Sequence, residues 1–163
     1  MLLNKDSRMK RAFAQVDVFT ASPYLGNPVA VVLDGAGLST HDMQAFTDWT
    51  NLSEATFVLP PTQPGADYAL RIFCPGRELP FAGHPTLGSC HAWLEAGGVP
   101  QGAEVVQECA VGLVRTRRDE QRLAFAAPPL RRSGPLPEAI VVQLTHPVHA
   151  QEDRRFELVI QPD

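Results

Sequence analysis

One glutamate stands where a predicted helix gives way to a predicted strand. Glu54 follows Asn51 and Ser53 and precedes the apolar run ATFVL at 55–59. A carboxylate at the mouth of a pocket, partly desolvated by neighbours such as Phe57, can have its pKa raised towards neutrality and can then move protons. Glu54 is therefore a candidate acid/base residue, although most glutamates at such junctions are simply solvated.

A predicted helix start is the second candidate. Pro85 suits the first position of a helix, where its missing N–H costs nothing, and Gly83 and His84 lead into it. The free N–H groups of the next three residues, beginning at Thr86, together with the positive end of the helix dipole, could hold a carboxylate or phosphate. On spacing alone, an ordinary capped helix start is the favoured explanation of the same residues.

The cysteines and histidines predict neither disulfides nor a metal site. Cys74, Cys90 and Cys109 are an odd number and widely spaced, and Cys74 and Cys90 suit small core positions. A thiol-based function through Cys74 or Cys109 is a weaker alternative. The histidines form two near pairs, 84/91 and 146/149, without a supporting cluster of acidic or sulfur ligands.

Composition narrows the class of protein. The 163 residues include 14 Lys+Arg and 18 Asp+Glu, a net charge of −4, and 44% are apolar. A globular chain of about one domain fits these numbers. Nucleic-acid binding is disfavoured because it needs a basic footprint, and the one arginine cluster, at 115–118, is interpreted as a solvated strand end. Neither a membrane helix nor a secretory signal is predicted, so we expect a cytoplasmic protein.

The elements that must position the candidate residues follow from periodicity and turn signals. Ser39 predicts a helix over Thr40–Thr50 with Met43, Phe46 and Trp49 on its buried face. A second helix is predicted from Pro85 to Ala96, with a buried stripe of Leu87, Cys90, His91 and Leu94. About seven strands are predicted, at 12–20, 29–33, 55–59, 68–74, 105–109, 112–116 and 123–127.

Three ordered motifs resemble the amino-terminal half of the PhzF family, the phenazine-biosynthesis isomerase and its relatives. The motifs are VDVFTASPYLGNPVAVVL at 16–33, NLSEATFVLPP at 51–61 and LRIFCPGRELPFAGHPTLG at 70–88. The resemblance implies an α+β fold of the diaminopimelate-epimerase type, in which a curved mixed sheet wraps around a central helix. Here one copy of that domain is expected.

The resemblance also implies cofactor-independent acid/base chemistry in which a single glutamate moves a proton between carbon atoms of a carboxylate-bearing substrate. Glu54 matches that glutamate, and His84 is similar to a family histidine at the cleft. Gly83, Pro85 and Thr86 match the family's carboxylate cradle, while Asn27 and Asp17 match positions near the site; no metal and no cofactor are implied. Ala82 stands where related racemases carry a cysteine, which disfavours a thiolate racemase.

The resemblance divides the chain into three parts. Residues 1–8 are expected to be an extension, 9–129 the PhzF-like domain, and 130–163 a linker and tail with apolar pieces at 139–144 and 156–160. Family members run to nearly twice this length, and their second domain supplies the opposing wall of the cleft. A truncated or frameshifted chain is one expectation, and a half that pairs with itself is another.

Two functions therefore stay open. The first is a PhzF-like isomerase, acting on a small carboxylate-bearing substrate, whose site is completed by a second copy of the chain in a homodimer. The second is an inactive half-domain, either a remnant or a small-anion-binding module, because a one-sided cleft excludes water poorly. Neither involves nucleic acid or a membrane.

Overall fold

The computed structural model describes residues 10–119 and 122–127. All of them belong to one compact unit, residues 1–128, while a second unit, residues 129–163, lies outside the described residues. The predictions for the extension 1–8 and for the tail 130–163 therefore also fall outside them.

Eight strands form one mixed sheet among the described residues, in the order β1-β2-β3-β4-β6-β7-β8, with β5 paired to β4. The pairs β2–β3 and β4–β6 are parallel and the others are antiparallel. The strands are β1 Phe13–Val18, β2 Asn27–Val32, β3 Ala55–Leu59, β4 Tyr68–Cys74, β5 Arg77–Leu79, β6 Glu104–Cys109, β7 Gly112–Asp119 and β8 Arg122–Phe125.

Two helices pack on this sheet. Helix α1, Thr40–Thr50, contacts β3 and β4, and helix α2, Gly83–Glu95, contacts β1, β2, β3 and β8. Each helix covers its own apolar cluster, so the sheet is buried on both faces. This curved α+β arrangement around a central helix confirms the predicted fold class. No helix in the described part of the chain is long and apolar enough to cross a membrane.

Helix α1 has the predicted bounds and cap. The Ser39 hydroxyl accepts from the Asp42 N–H at 3.1 Å, and the Asp42 carboxylate accepts from the Ser39 N–H at 3.3 Å, which completes a capping box. The predicted buried face was partly wrong, because Met43 and Thr47 are buried whereas Trp49 is 80% exposed. Met43 and Thr47 are four residues apart, so they lie on one side of the helix, towards the sheet.

Helix α2 begins at Gly83, two residues before the predicted start. Ala82 is the extended N-cap residue, and Pro85 lies in the first turn, where no intrahelical acceptor is available to an N–H group in any case. The predicted stripe was wrong at one position, since His91 is exposed while Cys90 is buried and Leu87 and Leu94 pack against the core. Strands surround this helix on several sides, and its buried positions are therefore mostly small residues: Pro85, Thr86, Gly88, Ser89, Cys90 and Ala92.

The strand predictions differ from the structure mainly at one hairpin. The β4–β5 turn at Gly76, where φ is 79°, folds the chain back so that Cys74 pairs with Arg77. This short β5 was missed because Pro80 follows it so closely. The predicted core position of Cys90 is confirmed: its side chain is fully buried, and burial raises the pKa of the thiol to about 12.

Gly88 marks the closest approach of α2 to the sheet. A Cβ added there would overlap the Val29 side chain and meet the Val18 Cγ2 atom at 3.0 Å. Both valines belong to the buried cluster beneath α2. The absence of a side chain at this position therefore sets how deeply the helix can sit in the curve of the sheet.

We expect Gly88→Ala to lower the free energy of unfolding. Alanine improves helix propensity by about 1 kcal/mol, but overpacking a close-packed core costs about 1–3 kcal/mol or more, and here the overlap is with buried valine. Gly102→Ala is the control because no atom lies within 4 Å of its added Cβ. Urea unfolding measures both variants, and a Gly88→Ala protein as stable as Gly102→Ala would contradict the close approach.

Candidate active site

Three polar side chains meet at one edge of the sheet. Asn27 is the first residue of β2, Glu54 immediately precedes β3, and His84 is the second residue of α2. Because β2 and β3 are parallel, their starting ends lie side by side, and the Ala30 N–H donates to the Glu54 carbonyl at 3.3 Å. The start of α2 brings His84 to the same edge.

Direct contacts join these side chains. The His84 Nε2 atom lies 3.4 Å from a Glu54 carboxylate oxygen. On the other side of the ring, Nδ1 lies 3.3 Å from the Asn27 amide nitrogen. The Ser53 hydroxyl in turn donates to the Asn27 side-chain oxygen, Oδ1, at 3.3 Å. Glu54, His84 and Asn27 therefore form one connected group.

Burial lowers the pKa of His84. The His84 side chain is 9% exposed and that of Glu54 is 18% exposed. Desolvation lowers the pKa of His84 below its ordinary value, and the Glu54 charge and the Pro28 carbonyl oppose that shift only in part. The imidazole is thus neutral near pH 7. Donation from the Asn27 amide N–H to Nδ1 is possible only when the imidazole proton is on Nε2, the nitrogen that faces Glu54.

Two atoms of the pair have unused hydrogen-bonding capacity. A Glu54 carboxylate oxygen and His84 Nε2 are both buried and have no hydrogen-bond partner among the described residues. Their mutual distance of 3.4 Å brings the two side chains together without making a well-formed hydrogen bond. Because buried polar atoms are normally paired, this edge of the sheet can accept a polar ligand.

The start of α2 supplies donors next to the pair. The N–H groups of Gly83 and His84 have no intrahelical acceptor, and no side chain caps this end of the helix. Pro85 has no N–H to offer. A Cβ at Gly83 would meet the Phe125 ring at 3.1 Å, so β8 packs closely behind this turn. The structure has an uncapped helix start here, but its free N–H groups lie earlier in the chain than expected, and anion binding at this end remains a prediction.

Thr86 is placed in the core. Its N–H and its hydroxyl both donate to the Ala82 carbonyl, at 3.3 and 2.9 Å, and the residue is fully buried. The Gln107 amide donates to the Thr86 hydroxyl at 3.3 Å and accepts from the Tyr68 hydroxyl at 3.3 Å. This chain of contacts ties the start of α2 to the sheet. A contact between Thr86 and a substrate remains a prediction.

Asp17 lies apart from the connected group. In the described residues no hydrogen bond or ion pair links it to Glu54 or His84. It lines a cavity of about 760 Å³ between β1, α2 and β8, together with residues such as His91 and Arg122. One Asp17 carboxylate oxygen is buried without a partner in the described structure. Its role near a substrate also remains a prediction.

Two residues beside the site were not predicted from the sequence. The Ser53 side chain forms a hydrogen bond with Asn27. Its position directly before Glu54 was the feature of the sequence that could have identified it as a site residue. The Phe19 ring lies 6.4 Å from the His84 ring, measured between centroids. Strand alternation places Phe19 on an outward face and gave no hint of this contact. In the described ranges no cluster of three or more His, Cys, Asp or Glu side chains is arranged to hold a metal ion.

Comparison with known proteins identifies relatives of this chain. The family model described as "Phenazine biosynthesis-like protein" matches residues 16–134. Antisense-enhancing sequence 1 of Schizosaccharomyces pombe is 50% identical over 114 residues, which cover 69% of this chain and 38% of the relative. Trans-2,3-dihydro-3-hydroxyanthranilate isomerase of Pseudomonas aeruginosa is 51% identical over 80 residues, 49% of this chain and 28% of the enzyme.

Solved structures agree in fold. The crystal structure of a PhzF-family phenazine biosynthesis protein from Bacillus anthracis is 34% identical, with a TM-score of 0.60, over 67% of this chain and 36% of that protein. The chain therefore spans between about a quarter and two fifths of the length of these relatives, which fits the amino-terminal half that the motifs resemble. With the family model covering most of its length, the chain belongs to the PhzF family of phenazine biosynthesis-like proteins.

Proposed function

We propose that this chain forms the acid/base half of a cofactor-independent isomerase that acts on a small carboxylate-bearing substrate. The observation that carries the proposal is the pair of buried, unpartnered atoms, Glu54 Oε2 and His84 Nε2, that face each other beside an uncapped helix start. A carboxylate that can exchange protons and an anion-binding helix end are the two parts that such an isomerisation needs.

The geometry supports a simple sequence of events. The substrate carboxylate accepts hydrogen bonds from the N–H groups of Gly83 and His84. Glu54, next to that anchor, removes a proton from a substrate carbon and returns it to another carbon on the same face. The neutral His84 imidazole faces the Glu54 carboxylate through Nε2, and the Asn27 amide contacts the ring at Nδ1. Positioned acid/base catalysis of this kind contributes about 10²–10⁴-fold to a rate.

The names of the relatives agree with this class of reaction. The Pseudomonas aeruginosa relative is an isomerase, and its name describes a substrate derived from anthranilate, a carboxylate. For this chain we propose the same reaction class, isomerisation, and a substrate that also carries a carboxylate. The identity of the substrate of this chain is left to experiment.

A second copy of the chain is proposed to complete the site as a homodimer. The Glu54–His84 pair lies at the starts of β3 and α2, and Phe19 beside it is 73% exposed. A twofold-related copy would cover this mouth and exclude water, which strengthens the electrostatic interactions within the site.

A module that binds a small anion without turnover is the alternative. The uncapped start of α2 supports it, because a helix end of this kind can bind an anion whether or not Glu54 transfers a proton. In this case the α2 start would bind a carboxylate while Glu54 transferred no proton. The two functions differ in one measurable property, the exchange of substrate hydrogen with solvent.

Glu54→Gln is expected to abolish proton exchange while leaving carboxylate binding within a few-fold. Glutamine keeps the size of the side chain but cannot act as a base. The measurement is deuterium incorporation from D₂O into trans-2,3-dihydro-3-hydroxyanthranilate and related unsaturated carboxylates, followed by NMR, with a loss of at least about 10²-fold.

Glu95→Gln is the matched control, because that carboxylate is exposed at the far end of α2. Exchange that survives Glu54→Gln would remove Glu54 from the mechanism. Carboxylate binding without exchange in the wild-type protein would instead establish the anion-binding alternative.

The lowered pKa of His84 predicts acid-dependent stability. The unfolded chain binds a proton at the ordinary histidine pKa of 6.5, and the folded chain binds it only at lower pH. Stability is therefore complete above about pH 6.5 and is lost as the pH falls through the folded pKa, by at most about 1.4 kcal/mol per pH unit. Urea unfolding between pH 7.5 and 5 should show this slope.

His84→Gln should flatten that slope, and His91→Gln, which alters an exposed histidine of the same helix, should retain it. A slope that is unchanged in His84→Gln would show that acid sensitivity arises elsewhere and that His84 is not held neutral by burial.

The homodimer predicts a solution mass of twice the 17.8 kDa chain. Light scattering of the full chain at tens of micromolar should give that value, since a copy that completes a catalytic site must be bound at working concentrations. A monomer at high micromolar concentration would exclude self-completion of the site.

A further inference from the structure

Phe19 has an unusual backbone conformation. Its φ is 68°, in the left-handed region that bulky residues rarely adopt. The residue directly follows β1 and begins the loop of residues 19–26 that leads to β2. Such strain persists only where surrounding structure enforces it, and it is concentrated at functional sites.

The loop enforces this conformation through close contacts. A Cβ added to Gly26 would overlap the Val18 carbonyl oxygen and the Thr20 side chain, so the two ends of the loop touch. The Thr20 hydroxyl donates to the Ser22 carbonyl at 2.8 Å and accepts from the Ser22 N–H at 3.0 Å. Phe19 is thus held between a fixed strand end and a closed turn.

The result is an aromatic ring that stands at the mouth of the site. Phe19 is 73% exposed, and its ring lies 6.4 Å from the His84 ring at an interplanar angle of 52°. It also lines the cavity between β1, α2 and β8. Exposing a large apolar ring to water does not stabilise the fold. In this position, however, the ring presents a flat surface beside the Glu54–His84 pair.

We propose that Phe19 determines substrate specificity by stacking on a planar, unsaturated part of the substrate whose carboxylate is bound at the start of α2. The inference rests on the proposed function for the carboxylate anchor. Aromatic faces favour offset or edge contacts with other π systems over contacts with puckered saturated rings of similar size. Phe19 is a specificity-determining residue in this scheme and transfers no proton.

Tyr24 provides a matched control in the same loop. Its φ is also 68°, and its side chain is 96% exposed. Among the described residues Tyr24 has no aromatic contact, whereas Phe19 contacts His84. Replacing either residue by glycine removes an exposed ring and relieves the same left-handed strain, so both variants should melt at or above the wild-type temperature.

Binding of two matched carboxylates to the full chain tests the proposal. Benzoate and cyclohexanecarboxylate carry the same anion on a planar and a puckered ring, and NMR titration of the His84 ring signals measures their affinities at pH 7.5. We expect the wild-type protein to prefer benzoate by about three- to tenfold. Phe19→Gly should lose that preference and Tyr24→Gly should keep it, with light scattering confirming an unchanged mass for each variant.

The outcomes separate this inference from the proposed function. A benzoate preference that Phe19→Gly leaves intact, equal affinities in the wild-type protein, or no binding of benzoate at all would each overturn the role of Phe19, even if proton exchange were observed. A Phe19-dependent preference for benzoate in a protein that shows no proton exchange would support the specificity role of Phe19 and exclude the isomerase function.

Discussion

The depth at which α2 sits in the curved sheet is the constraint on which the candidate site depends. At Gly88 the helix is so close to β1 and β2 that no side chain fits between them. One residue further along, the Ser89 and Thr56 hydroxyls share a buried hydrogen bond of 2.8 Å, which fixes the helix against β3. If the helix were displaced outward by one methyl group, its first turn would move with it, and the 3.4 Å distance between His84 and Glu54 would lengthen.

A second set of contacts fixes the start of the helix in the same position. Tyr68, Gln107 and Thr86 form a buried chain of hydrogen bonds that ends on the Ala82 carbonyl. Burial raises the pKa of Tyr68, so its hydroxyl remains a donor at all ordinary pH values. Breaking one link would leave buried polar groups without partners, which costs about 1–3 kcal/mol for each group. The turn that presents His84 is therefore rigid for reasons unrelated to substrate.

Local signals predicted the parts of the fold that local physics determines. The capping box of α1 and the strands at 55–59 and 68–74 were predicted with their observed bounds, because a cap and an alternating apolar run are complete within a few residues. The start of α2 was misplaced because Ala82 carries no capping side chain to mark it. Trp49 was assigned to the core because periodicity shows that a helix has an apolar face, but the contacts of the neighbouring strands decide which residues it buries.

The site itself was predicted through a resemblance to a family, since spacing alone left Glu54 and the helix start open to ordinary structural explanations. What sequence could not show is that the unfavourable features of the molecule are concentrated there. The uncapped helix end, the unpartnered Glu54 and His84 atoms and the left-handed Phe19 all lie at one edge of the sheet. The rest of the described fold pairs almost all of its buried side-chain groups. Two unpartnered buried atoms beside an uncapped helix start leave free energy available for a ligand at this edge, which is the physical reason to regard it as functional.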